Sequence, residues 1–84
     1  RKSMTDTNIC EKIEKGLTEL LNRGESKAKA GEIAESGNIE KNDVEDPART
    51  VGRLLSYNAC DFDDFGYEVL RNDDDSNDYR FWRK

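Results

Sequence analysis

The C-terminal part of the chain holds two strand-like runs separated by seven residues without a single apolar side chain. At 67–71, Tyr67 and Val69 alternate with Glu68 and Leu70. At 79–83, Tyr79 and Phe81 alternate with Arg80 and Trp82. This two-residue period, with its aromatic and β-branched content, predicts a pair of strands. The stretch between them, Asn-Asp-Asp-Asp-Ser-Asn-Asp at 72–78, is then the exposed tip of a hairpin. A lone hairpin is marginal in water, so whatever precedes this one must supply a partner for its apolar face.

What precedes it is helical. In 8–23 the apolar residues Ile9, Cys10, Ile13, Leu17, Leu20 and Leu21 fall, at 100° per residue, within one stripe of roughly 120°. Asn8 with Glu11 three residues on predicts an N-cap and its box partner, and Gly24 predicts the stop. Gly16 inside this helix costs about 1 kcal/mol relative to alanine unless another helix packs closely against it. After a polar stretch at 25–27, Ala30, Ile33 and Ala34 share a face of a second, short helix that Gly37 ends. Residues 38–45 form a loop pinned by Ile39 and Val44, long for a turn between helices. Asp46 then caps a third helix with Pro47 at its first position, running to about residue 58. Ala48, Val51, Leu54 and Leu55 lie on its core side, and Arg49, Thr50, Arg53, Ser56 and Tyr57 form a polar arc of about 120° opposite. Phe62 and Phe65 tuck under the aspartate-rich loop that follows.

Composition sets the limits. Eighty-four residues allow one small core. With 33% hydrophobic and 39% charged residues, the fold rests on where the few apolar side chains fall, not on how many there are. The domain is expected at 8–84, with 1–7 as a tail outside it. A net charge of −5 excludes general attraction to phosphate, so any DNA binding must come from a local patch. The same acidity suits a protein adapted to concentrated salt, where charges are screened within about 3 Å at 1 M. Cys10 and Cys60 lack metal-ligand spacing and histidine is absent, so both are read as small core hydrophobes. No signal-peptide apolar region and no run long enough to span a membrane is present, which predicts a soluble, cytoplasmic chain.

The stretch KAGEIAESG at 29–37 looks like the second helix of many winged helix-turn-helix proteins, RTVGRLL at 49–55 is similar to their recognition helix, and YRFWR at 79–83 to a second wing strand. In this order, over nearly the whole chain, the three segments resemble the small stand-alone winged-helix proteins common in halophilic archaea and their viruses. The resemblance implies an α+β winged helix-turn-helix fold, three helices followed by a C-terminal β-hairpin. The long 38–45 connection departs from the tight turn usual in that family.

The arc on the third helix has the chemistry of a major-groove reader. Arginine pairs bidentately with guanine, threonine meets a thymine methyl or a phosphate, and a tyrosine hydroxyl meets the backbone. Arg49 and Arg53 lie one turn apart, within reach of neighbouring base pairs. Lys27 and Lys29 are candidates to hold a phosphate beside the second helix. The expected function is therefore sequence-specific double-stranded DNA binding by a transcriptional regulator, as a homodimer reading two half-sites. The alternative is a winged-helix module for protein contact, presenting acidic surface to a basic partner. It is motivated by the four carboxylates at 72–78, which repel phosphate and for which Arg71, Arg80 and Arg83 are the expected partners. That stretch fails as a calcium loop, because Asp78 stands where glycine is needed and Lys84 where a bidentate glutamate is. Asp61, Asp63, Asp64 and Glu68 have only their number to suggest catalysis. Without histidine, nucleophile elbow or phosphate loop, no enzyme activity, metal or cofactor is expected.

Overall fold

The computed structural model describes residues 6–84. Its elements are α1 (Asp6–Asn22), β1 (Lys27–Lys29), α2 (Ala30–Ser36), α3 (Pro47–Ser56), β2 (Phe65–Arg71) and β3 (Asn77–Arg83). The three strands form one antiparallel sheet in the order β1-β3-β2, with Ala28 opposite Tyr79 and Tyr67 opposite Phe81. Three helices and a closing hairpin that pairs with β1 make a winged-helix arrangement.

The core lies where the helices meet the inner face of this sheet. Ile9, Ile13, Leu17 and Leu20 of α1, Ile33 of α2, and Val51, Leu54 and Leu55 of α3 are buried there with Ala28, Phe65, Tyr79 and Phe81. Phe62 packs edge-on against Tyr67, with ring centroids 6.0 Å apart. Tyr67 in turn donates its hydroxyl to the Leu55 carbonyl at 2.9 Å, which ties β2 to the end of α3. Burial holds this phenol above its ordinary pKa of 10.0.

Each helix ends in a left-handed residue: Gly24 after α1, Asn38 after α2 and Asn58 after α3. In all three the amide of the next residue returns to a carbonyl five positions back, Glu25 to Leu20, Ile39 to Ala34 and Ala59 to Leu54. This is the Schellman closure, and it satisfies carbonyls that would otherwise be orphaned. Gly37, expected as the stop of α2, is its C-cap at φ −85°, and the left-handed step falls on Asn38.

The structure corrects several expectations. α1 begins at Asp6, so Asn8 lies inside its first turn and not at the cap. Asp6 and Thr7, expected in the tail, are helical, whereas residues 1–5 of that tail lie outside the described residues. The polar stretch before α2 runs into β1, a strand of three residues. β2 and β3 each start two residues earlier than their alternation suggested, leaving 72–76 as the tip. Ala48 is exposed, because two-turn α2 passes it at Gly31 without covering it. Trp82, 41% exposed, packs across Gly66 on the outer face of the hairpin. A Cβ at Gly66 would stand 2.5 Å from the indole nitrogen, so any larger residue here displaces the tryptophan ring.

Cys10 and Cys60 are not free thiols. They form a disulfide between α1 and the segment that follows α3, with Cα atoms 5.5 Å apart. Burial of Cys60 agrees with the expectation, but the bond between the two does not. Among the described residues, no helix is long and apolar enough to cross a membrane.

Candidate nucleic-acid interface

α3 is the element on which the candidate residues depend. Asp46 caps it, its Oδ1 accepting the Arg49 amide at 3.2 Å, and Pro47 occupies the first turn, where a missing N–H leaves nothing unpaired. Val51, Leu54 and Leu55 turn one side into the core. Arg49, Thr50 and Arg53 then face outward, lining an open concavity of about 690 Å³ with Lys41, Glu45 and Asp46. Tyr57, the C-cap of α3, is 76% exposed one turn further along.

Charge is unevenly used on this face. The Arg49 side chain has no hydrogen bond or ion pair among the described residues. Arg53 stands 3.8 Å from Asp6 of α1, both side chains at least half exposed, so this contact is weak and easily exchanged for another anion. Lys41 was not picked out from the sequence. It sits in the 38–45 connection, and only folding brings it beside Arg49.

That connection is built rather than loose. Ile39 and Val44 are buried, as expected, and a single helical turn closes between them with the Val44 amide on the Glu40 carbonyl at 3.1 Å. Lys12 of α1 reaches across to the Asn38 carbonyl at 3.0 Å and to Asp43 at 3.1 Å. The Glu40 amide, and then Lys12, hold the Asp43 carboxyl below its ordinary 3.8. These bonds fix the extra length that sets this chain apart from a tight helix-turn-helix.

Lys27 and Lys29 are placed elsewhere. Both lie on β1, and Lys29 turns to the wing, its ammonium 3.0 Å from Asp78 and 3.3 Å from the Ser76 hydroxyl. The hydrogen bond that Lys29 donates to Asp78 raises the Lys29 pKa above 10.5, and the same bond lowers that of Asp78 below 3.8. Lys29 therefore has its charge matched within the fold, and among the described residues it is this lysine, not Arg71, Arg80 or Arg83, that pairs with a carboxylate of the 72–78 stretch. Arg80 bridges to Glu68 at 2.7 Å and stacks on Trp82, while Arg83 lies over the Phe65 ring. Asp74 accepts from both the amide and the hydroxyl of Ser76, which folds the tip and lowers its own pKa.

The structure thus gathers Arg49, Thr50 and Arg53 with Lys41 around one concavity and keeps Tyr57 at the end of the same helix, whereas Lys27 and Lys29 lie on β1 and do not line that concavity. No known protein family, curated protein or solved structure matches this chain.

Proposed function

We propose that this protein binds double-stranded DNA, placing α3 in the major groove as a transcriptional regulator does. The observation that carries the reading is the outward arc of Arg49, Thr50, Arg53 and Tyr57 on a helix whose other side buries Val51, Leu54 and Leu55 in the core. Arg49 and Arg53 supply base contacts, and Lys41 approaches a phosphate from the connection before the helix. So small a contact gives modest affinity, which favours a homodimer on two half-sites. Such a role places the chain in the cytoplasm, where disulfides seldom persist and a Cys10–Cys60 bond is unusual.

Fluorescence anisotropy with duplexes over a salt series tests the reading. Arg49→Ala is expected to lose about 1–3 kcal/mol and relax sequence preference, whereas Lys41→Ala lowers the slope of log K against log salt by about 1. A folded protein that binds no duplex at low salt overturns it.

A second reading, contact with a basic protein partner, is favoured by the tip. Asp73 and Asp75 are exposed and their carboxylates have no partner among the described residues, and Glu32 and Glu35 expose two more on α2. Under that reading Asp73→Asn and Asp75→Asn weaken partner capture while Arg49→Ala leaves it unchanged.

A further inference from the structure

We infer that Cys10–Cys60 is a reversible thiol–disulfide exchange site, attacked at Cys10 by a small or protein-borne thiol, that latches the start of α1 onto the segment leaving α3. The inference is independent of whether α3 reads DNA.

The two sulfurs differ in access. Cys60 is 3% exposed, while Cys10 lies at the edge of the core and is only partly covered. A thiolate therefore reaches Cys10 Sγ first, and exchange rates depend on such access. The first thiolate bonds to Cys10 Sγ as the Sγ–Sγ bond breaks, and Cys60 leaves as a thiolate that takes a proton from water. A second thiol resolves the mixed disulfide. In sum, two thiols lose two electrons and join as a disulfide, while Cys10 and Cys60 gain those electrons and two protons.

What the bond holds is local. Residues 57–64 form no helix or strand, and apart from Cys60 they are held by the buried Phe62 ring against Tyr67, by the Ala59 amide on Leu54, by the Tyr67 hydroxyl beside Asn58 and by the Lys84 amide on Asp64. On the other side of the bond, Asp6 of the first α1 turn is the residue that meets Arg53. The rest of the core, with Ile9, Ile13 and Leu17 on α1, Ile33 on α2, Val51 and Leu54 on α3, and Phe62 and Phe81 beyond, is buried by packing that does not run through the sulfurs. Opening the latch then frees two adjoining segments and leaves the winged-helix core standing.

The test compares the oxidised protein, the protein reduced with dithiothreitol, and Cys10→Ser/Cys60→Ser, by amide hydrogen exchange at low temperature. Expected is exchange in 6–12 and 57–64 accelerated at least about tenfold beyond the acceleration that the lower global stability gives the core amides of α2, β3 and the middle of α1, with return of the reduced protein to the oxidised pattern on adding oxidised glutathione. Acceleration by the same factor at every protected amide, with nothing extra in 6–12 and 57–64, overturns the proposal, because the bond is then only a staple of the whole fold. An unchanged pattern overturns it too, as does a disulfide that dithiothreitol reduces only after the protein is unfolded.

Discussion

At the crossing of α1 and α2 two glycines face each other's backbone. A Cβ on Gly16 would stand 2.8 Å from both the Gly37 amide nitrogen and the Ile33 carbonyl oxygen, and one on Gly37 would collide with the Lys12 carbonyl. Neither neighbour is a side chain that can turn aside. Gly16→Ala would gain up to about 1 kcal/mol of helix propensity, yet overpacking typically costs about 1–3 kcal/mol, and here it must move a backbone. The expected outcome is a net loss of stability, seen as a lower urea midpoint at unchanged m. Gly16 was legible in advance as a helical glycine that only close packing would justify, whereas Gly37 read simply as a stop. The arc of Arg49, Thr50, Arg53 and Tyr57 was equally legible, since angles along a helix follow from residue number alone. Asp6 beside Arg53, Lys29 beside Asp78 and Lys41 beside Arg49 were not, because each pair is made by the folding of separate elements. The cysteines divide along the same line: the burial of Cys60 follows from residue type, but their meeting does not follow from their spacing.

The helices depend on their ends as much as on their faces. Asn38 holds φ at 58° in the Schellman turn after α2 with its side chain exposed, so this position isolates the backbone term. Asn38→Ala is expected to cost up to about 1 kcal/mol, because alanine keeps the Cβ but lacks the short polar side chain with which asparagine tolerates the left-handed region, and Asn38→Gly, with no Cβ, to be neutral or better. Thermal melts of the two variants check this, and equal losses in both would point to a side-chain role instead. The hairpin offers a pH test. Asp74 and Asp78 have pKa values lowered by folding, so their contribution is complete above 3.8 and is lost as pH falls through their folded values. Lys29 is raised, so its contribution is complete below 10.5 and is lost as pH rises beyond its folded value. Asp78→Asn is therefore expected to flatten both limbs of the melting-temperature profile, by a small amount because these groups are exposed. Of the elements, the hairpin and the three helices were written in periodicity and caps. β1 was not, since three residues with only Ala28 buried carry no period, and their strand character comes from pairing with β3 across about fifty residues of chain.

Across the whole molecule, one covalent bond closes a loop of 50 residues in a chain of 84. Chain-entropy arguments give such a cross-link about 4 kcal/mol, acting mainly on the unfolded state. Domains of this length have about 4–13 kcal/mol in total, so the bond supplies a large share of it. Cys10→Ser/Cys60→Ser is expected to melt roughly 15–30 °C lower than the oxidised protein. Two causes of that loss predict different denaturation curves. If the bond works by restricting the unfolded chain, its removal lets that chain expand and expose more surface, and the m value rises as the midpoint falls. If the loss came from broken contacts in the native state, m would stay constant or drop as native surface opened early. The latch described above belongs with the first behaviour plus a local one: the midpoint falls, m rises, and exchange in 6–12 and 57–64 departs from exchange in the core before the global transition begins. A stability that falls by less than about 1 kcal/mol would instead mean that the reduced chain is already held compact by its core, and would count against the entropic account of this bond.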